Sequence, residues 1–315
     1  MNLSPFLPLT LRSILEKHGE DWPPQFLIGT TLFADISGFT QLSEALTRMG
    51  REGSEYLTRI LNETFTEVID RLHFWGGDVM RFAGDAVTVF FPESRGEQAA
   101  IHAALDIQSF MKAHPEVQSP VGTFPIRIKI GIASGTHTLM MVGQGNTRDY
   151  VFAGEPVDGS AEAEHHAEAG DVILHPTCHG SGGTFFKVKP RTPASPSSHG
   201  ISDIVSVSEE LGRPFLHPAL SDKILSGHAH LMNEHRKASI LFVSFGAVSD
   251  YMNIDELTFL QDVYSEVRQL IDHYDGYINK VDMGDKGSKF LITFGVPRSH
   301  EDDGERAVGA AEDLM

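Results

Sequence analysis

The feature that most constrains this chain is an internal repeat, in which one order of segments occurs twice. "TTLFADI" at residues 30–36 resembles "SILFVSF" at 239–245, and "GEQAAIHAALDI" at 96–107 resembles "GERAVGAAEDLM" at 304–315. The phenylalanines of the first pair lie 209 residues apart, and the Gly-Glu pairs of the second lie 208 residues apart. A repeat of this size indicates two related domains within the 315 residues.

Hydrophobic periodicity predicts the same order of elements at the start of each repeat. In the first repeat these are a buried strand at 30–35, a helix at 56–72, a hairpin within 76–92, a helix at 96–111 and a strand at 126–135. Arg127 and Lys129 alternate along the last strand with isoleucines, which predicts one polar and one buried face.

We therefore divide the chain into a lead segment (1–27), a first domain (28–180), a linker (181–237) and a second domain (238–315). The linker is assigned from its Gly-, Pro- and Ser-rich start. Residue 315 corresponds to position 107 of the first copy, so the second copy stops before its own version of the 126–135 strand. We expect the chain to be the N-terminal piece of a longer protein, with C-terminal regulatory domains beyond residue 315.

Composition excludes several classes of function. The formal net charge of −18 argues against a nucleic-acid binder, which needs a basic surface. Cys178 is the only cysteine, which excludes an internal disulfide and favours a reducing compartment. No apolar run reaches about 18 residues, so we expect no membrane span and a cytoplasmic location.

Asp35 stands where the first buried strand meets the Ser37-Gly38 turn, and two interpretations fit that position. It is either the cap of the following helix or a ligand for a cation. Asp85 follows Gly84 in the hairpin turn, which a neighbouring strand would bring beside Asp35. Two carboxylates with the Ile36 carbonyl make a hard oxygen site for two Mg²⁺ or Mn²⁺ ions. The pattern favours the cation site over the cap.

Three segments carry a family resemblance: "LFADISGFTQLSE", "GGDVMRFAGDAV" and "IRIKIGIASG". In this order they resemble the signature segments of the class III nucleotidyl cyclases, and the resemblance covers about residues 28–175 and again 238–315. The paired arrangement is most similar to the soluble adenylyl cyclases. It implies a ferredoxin-like α+β fold in a tandem pair whose second copy is truncated, with one active site across the domain interface.

The resemblance also implies roles for particular residues of the first domain. Asp35, Asp85 and the Ile36 carbonyl would hold the metal ions, and Asp35 and Asp85 are the catalytic pair. Residues expected to contact the phosphates of ATP are the backbone N–H groups of Ile36, Gly38 and Phe39, then Lys129, with Arg127 beside it.

The second domain is expected to bind the base. It carries Ser244 at the position of Asp35 and Gly284 at that of Asp85, so it lacks the carboxylates. Lys280 matches the lysine with which adenylyl cyclases recognise adenine, and Arg81 is its symmetric counterpart. The alternative for Lys280 is a solvated strand residue.

The first domain departs from the family where a transition-state Asn and Arg are expected, because Asp158 and Glu162 stand there. We expect the second domain to supply these groups beyond residue 315, so that the present chain alone is inactive or weak. The degenerate site would be regulatory and include Arg81, Asp158 and Met283. Ala161 replaces the arginine expected for bicarbonate binding.

The leading hypothesis is conversion of ATP to cyclic AMP and pyrophosphate. The alternative is a catalytically weak nucleotide sensor that regulates a C-terminal effector. Guanylyl cyclase activity ranks lower, because it would favour an acidic residue at position 280.

Overall fold

The computed structural model of the chain describes residues 3–93, 96–191, 205–228, 237–246, 252–283 and 287–315. The chain forms two compact units. The first unit consists of Leu27–His137 and Glu155–Ile204, and the second unit consists of Met1–Phe26, Thr138–Gly154 and Val205–Met315.

The described helices and strands are numbered in chain order. They are α1 (Leu9–His18), β1 (Gln25–Ser37), α2 (Phe39–Thr47), α3 (Arg51–Phe74), β2 (Asp78–Ala83), β3 (Ala86–Pro92), α4 (Gly96–Ala113), β4 (Glu116–Ser119), β5 (Gly122–Pro125), β6 (Arg127–Gln144), β7 (Thr147–Ala153), α5 (Glu155–His165), β8 (Val172–Leu174), β9 (Phe186–Lys187), α6 (Glu209–Gly212), α7 (Pro218–Leu225), β10 (Ser239–Ser244), α8 (Ile254–His273), β11 (Tyr277–Asp282), β12 (Lys289–Phe294) and α9 (Asp303–Leu314). Short 3-10 helices occur at Ser4–Phe6, His179–Ser181 and Arg213–Phe215.

The main sheet has the strand order β2-β3-β1-β6-β8-β9, with β7 paired to the distal part of β6. β3 is antiparallel to both β1 and β2, whereas β6 and β8 are parallel. Each strand and helix predicted for the first repeat is present. The α+β fold is therefore confirmed.

One face of this sheet packs against the helices. Leu32, Ala34 and Ile36 of β1 are completely buried in a core that α2, α3 and α4 share, and alternate residues of β6 join them. Because side chains alternate across a strand, Asp35 and Lys129 lie on the opposite face. Sequence periodicity thus separates a packing face from a polar face.

The second unit contains a three-stranded sheet in the order β10-β12-β11. Its core combines α8 and these strands with Met140, Val142 and Val151 of the β6–β7 hairpin. The hairpin therefore groups with the second unit, although it precedes the predicted second domain.

The predicted linker contains regular structure. Within it, Lys187 of β9 pairs with Ile173 of β8 and so extends the main sheet. The helices α6 and α7 also form there, and Ser208 and His217 cap their first turns through side-chain hydrogen bonds. These caps stabilise short helices that hydrophobic periodicity alone does not indicate. The domain boundaries stay a prediction.

Within the ranges given above, none of the helices is both long enough and apolar enough to cross a membrane.

Candidate active site

The two predicted catalytic aspartates are brought together at one end of the β1–β3 pair. Asp35 lies opposite Ala86 in the antiparallel register, and Asp85 immediately precedes Ala86. The Ile36 amide donates to the Asp85 carbonyl at 3.2 Å, which fixes the strand end against the hairpin turn. Gly84 has a φ of +69°, a left-handed conformation that glycine adopts without strain. Both aspartates are half-buried.

Asp35 is not the N-cap residue of the next helix, contrary to the capping interpretation. Helix α2 begins at Phe39, and its N-cap residue is Gly38. Gly38 has a φ of +108°, and a Cβ there would lie 2.2 Å from the Pro125 carbonyl oxygen. The turn therefore needs glycine.

The helix start offers fewer backbone donors than the sequence predicted. Because the Ile36 amide already donates to Asp85, the expectation that it holds a phosphate is not met. Gly38 and Phe39 stand at the N-terminus of α2, where amide groups and the helix dipole favour an anion. The expected role of the Ile36 carbonyl as a metal ligand stays a prediction.

The donor set at this strand end fits Mg²⁺ or Mn²⁺. In the part of the chain that the structure describes, no three His, Cys, Asp or Glu side chains form a cluster able to hold a metal. Mg²⁺ is commonly held by only one or two carboxylates, with waters and substrate phosphates completing its shell. Asp35, Asp85 and the Ile36 carbonyl provide such an incomplete set of hard oxygen ligands.

Lys129 lies on the strand next to Asp35. Ser37 donates to the Arg127 carbonyl at 3.4 Å, and the hydroxyls of Thr30 and Ser134 share a hydrogen bond of 2.9 Å. Equal separations along the two strands imply an antiparallel register that puts Asp35 opposite Lys129. The Lys129 ammonium itself contacts the Glu164 carboxylate at 3.0 Å.

Arg127 does not share the environment of Lys129. Its guanidinium donates to the carbonyls of Pro115 and Ile126, which precede its own strand. Strand alternation predicted that both cations project from one face, but β6 begins at Arg127, where the side chain can turn back to the preceding loop. The structure thus gives Arg127 a role in fixing that loop.

Lys280 and Arg81 occupy equivalent positions. Arg81 pairs with Thr88 and Lys280 pairs with Leu291, and each follows a register shift in its strand. The Lys280 ammonium lies 4.0 Å from Asp282, and Lys289 contacts the same carboxylate oxygen at 3.2 Å. Asp282 and Lys289 were not predicted. The signal available for Asp282 was its spacing of two residues from Lys280 on one strand.

The second unit reproduces the strand end without its carboxylates. Ser244 pairs with Lys289, and the Phe245 amide donates to the Ser288 carbonyl at 3.0 Å, as Ile36 does to Asp85. The predicted counterpart of Asp85, Gly284, lies outside the described residues, as does Asp285. Counted back from β12, the position of Asp85 belongs to Ser288.

The residues predicted for a regulatory site have different surroundings. Asp158 is half-buried in the first turn of α5. Met283 is 2% exposed and packs in the core of the second unit, as expected for a packing residue. Glu162 lies 3.4 Å from His175, and Ala161 is buried.

Comparisons with known proteins show which family this chain is similar to. The sequence model of the adenylate and guanylate cyclase catalytic domain matches residues 28–195. Adenylate cyclase type 10 of Homo sapiens is 26% identical over 320 residues, which cover 85% of this chain and 19% of the human protein. The Rattus norvegicus protein of the same name is 33% identical over 158 residues, 48% of this chain and 10% of that protein. The crystal structure of the adenylyl cyclase CyaB from P. aeruginosa aligns with a TM-score of 0.41 and 27% identity, covering 49% of this chain and 79% of that chain.

The family model identifies residues 28–195 as a class III nucleotidyl cyclase domain. The chain belongs to the family of adenylate and guanylate cyclase catalytic domains, since the family model matches more than half of it. It spans about a fifth of the length of the human relative.

Proposed function

We propose that this chain is part of an adenylate cyclase, which converts ATP to cyclic AMP and pyrophosphate. The ribose 3′-oxygen attacks the α-phosphorus and forms the new P–O bond. The bond from the α-phosphorus to the bridging oxygen breaks, pyrophosphate leaves, and the 3′-hydroxyl proton is lost to solvent. The observation that carries the proposal is the pairing of Asp35 and Asp85 beside the strand end.

The residues proposed to bind the metal ions and the phosphates lie in the first cyclase domain. Asp35, Asp85 and the Ile36 carbonyl would hold two Mg²⁺ or Mn²⁺ ions, which when bound activate the attacking oxygen and neutralise the triphosphate. The amides of Gly38 and Phe39 orient phosphate oxygens at the start of α2. Holding the attacking oxygen in line with the phosphorus supplies much of the acceleration.

The residue proposed to read the base is Lys280 of the second cyclase domain. Lys280 donates to adenine N1, which is an acceptor, whereas guanine N1 carries a hydrogen and opposes the donor. The direction of this hydrogen bond supports ATP rather than GTP as the substrate. The names of the human and rat relatives agree with that choice. Asp282 holds the Lys280 side chain on its strand. The second cyclase domain of the same chain is thus the first partner of the metal-binding half, and C-terminal regulatory domains are further partners.

The test is cyclic AMP production by the complete protein with Mn²⁺ and ATP. Asp35→Asn and Asp85→Asn should each lower turnover at least about a hundredfold, because the isosteric amides remove the charges that hold the metal. Ser288→Ala is the matched control, since it occupies the position of Asp85 in the second unit and should leave turnover within about twofold. Undiminished cyclic AMP from either aspartate variant would overturn the proposal.

A second candidate is a nucleotide sensor with little turnover. It is supported by Asp158 and Glu162, whose negative charges oppose the charge that develops on a phosphoryl transition state. A sensor would bind Mn²⁺-ATP through Asp35 yet give no cyclic AMP in the complete protein. Equal binding and measurable turnover would favour the cyclase.

A further inference from the structure

Helix α5 lies unusually close to strand β6. A Cβ on Gly131 would lie 2.0 Å from the Ser160 carbonyl oxygen and 2.4 Å from the Glu164 amide nitrogen, so only glycine allows this approach. Gly131 is two residues after Lys129 on the same strand face. The close contact therefore brings the last turns of α5 over the polar face that carries Lys129.

The approach buries a carboxylate that sequence analysis did not select. Glu164 is 4% exposed, and its Oε1 lies 3.0 Å from the Lys129 ammonium, which keeps 30% of its side-chain surface. Its other oxygen lies 3.9 Å from His165, whose side chain is half-exposed. A buried carboxylate is stable only when it is paired, so Lys129 is the principal counter-charge of Glu164.

This pair competes with the role expected of Lys129. A phosphate and the Glu164 carboxylate both need the same ammonium donors, and both carry negative charge. In a partly buried site the attraction between the ammonium and either anion is several times stronger than in water, so the two anions compete for it.

We propose that Glu164 is a positioning residue that restrains Lys129 and weakens the binding of nucleotide phosphates. The inference rests on the proposed function, because it concerns Lys129 of the same site. Glu164 holds the ammonium against α5, and a triphosphate must share the ammonium with that carboxylate or displace it. The buried ion pair between Lys129 and Glu164 thereby lowers the affinity of the chain for the nucleotide.

The test measures binding of the Mn²⁺ complex of α,β-methylene-ATP to the full chain by calorimetry. Glu164→Gln keeps the shape and an acceptor oxygen but removes the charge, and it should tighten binding about tenfold. Glu67→Gln is the matched control, since Glu67 is a 53% exposed carboxylate that pairs with Arg71 on α3 and has no proposed role in the site. It should leave binding within about twofold, as expected for an exposed pair.

A cycle with Lys129→Met tests whether Glu164 acts through Lys129. In that background Glu164→Gln should no longer tighten binding. Glu164→Asp, which keeps the charge but lengthens the pair, should tighten binding about threefold and serves if Glu164→Gln does not fold. Tightening that persists without Lys129, or Glu164 variants that bind like the Glu67→Gln control, would overturn the inference.

Asp35→Asn separates the two possible failures. If Asp35→Asn binds the nucleotide analogue as tightly as the wild type does, the proposed function is contradicted. Binding that depends on Asp35 but ignores Glu164 would contradict only the present inference.

Discussion

The same strand end carries two aspartates in the first unit and two serines in the second. In the first unit Asp35 lies opposite Ala86, and Asp85 precedes Ala86. In the second unit Ser244 lies opposite Lys289. The adjoining backbone hydrogen bond is nevertheless reproduced, at 3.2 Å in the first unit and 3.0 Å in the second. Backbone pairing thus fixes the position while the side chains decide its chemistry.

The comparison also shows which residues the fold requires. Val87 and Val89 are completely buried on β3, and Phe290 and Ile292 are completely buried on β12, because these positions face the helices of their units. The polar face has no such constraint. It holds a carboxylate pair in one unit and a lysine pair around Asp282 in the other.

The largest effect is expected when Lys280 is replaced, and a much smaller one when its symmetric counterpart Arg81 is replaced. Lys280→Glu in the complete protein should lower kcat/KM for ATP about a thousandfold and narrow the preference for ATP over GTP, because a donor to adenine N1 becomes an acceptor. Arg81→Glu should change that preference less than about threefold. The measurement is kcat/KM for both nucleotides at saturating Mn²⁺. An unchanged ATP/GTP ratio in Lys280→Glu would assign Lys280 a structural role.

The next largest effect is the stability lost when the lysine of one ion pair in each unit is replaced. Lys129→Met should lower the free energy of unfolding by about 3 kcal/mol, since it leaves Glu164 buried without its counter-charge. Lys289→Met should cost under about 1 kcal/mol, because its partner Asp282 keeps 24% of its side-chain surface. Denaturant unfolding measures both. Combining Lys129→Met with Glu164→Gln should recover most of the loss, and equal costs for the two lysines would break the comparison.

The sequence predicted most of the first unit because its signals are local. Periodicity located the strand at Asp35, the hairpin around Gly84 and the helices, since each of these elements has its own apolar face. The pairing of Asp35 with Asp85 followed from the order of those elements. Long-range contacts were less accessible. Nothing in "EAEHH" shows that Gly131 lets α5 approach β6 closely enough to bury Glu164.

Alignment of the two repeats failed at one place for a physical reason. The second hairpin has extra residues in its turn, so counting forward from Lys280 gives Gly284 at the position of Asp85. Register fixes the position from the other strand and gives Ser288. A count along one strand cannot detect an insertion in the turn, whereas hydrogen bonding to β10 does.

A smaller effect is the pH dependence of stability that one histidine contributes in each unit. Burial lowers the pKa of His137 to about 4, despite a hydrogen bond to the Leu27 carbonyl. The unfolded chain binds this proton at a pKa near 6.5, so stability that is present above pH 6.5 is lost as the pH falls toward 4. Between pH 8 and pH 5 we expect a loss of about 2 kcal/mol from this group. His137→Gln should remove that part of the pH dependence.

Unfolding of the first unit by denaturant can be followed separately by the alkylation of Cys178. Burial raises the pKa of this thiol to about 11, so it reacts slowly while folded, and it is the only cysteine. In the second unit the pKa of His217 is lowered to about 4 by burial and by Arg298 and Arg268. Its half-buried ring should contribute a smaller loss, which about 0.5 M salt reduces by screening the arginines. If the pH-dependent loss of stability from His137 had the same salt dependence as the loss from His217, the expected difference between the two histidines would be contradicted.

The smallest effect concerns two equivalent strand positions on the polar faces. Thr31 is completely buried and bonds His137 at 2.6 Å, whereas Ile240 is 58% exposed. Among the described strands β10 pairs only with β12, while β1 is flanked by both β3 and β6. Ile240→Thr should therefore change the free energy of unfolding by less than about 0.5 kcal/mol, whereas Thr31→Val should cost about 1–2 kcal/mol by leaving a buried histidine nitrogen without its partner. Denaturant unfolding of both variants gives the comparison, with Leu241→Ala, on the core face of β10, as the control that must cost more than Ile240→Thr. A loss from Ile240→Thr as large as that from Leu241→Ala would mean that the polar face of β10 is covered in solution, and the two strands would then be equivalent in packing as well as in register.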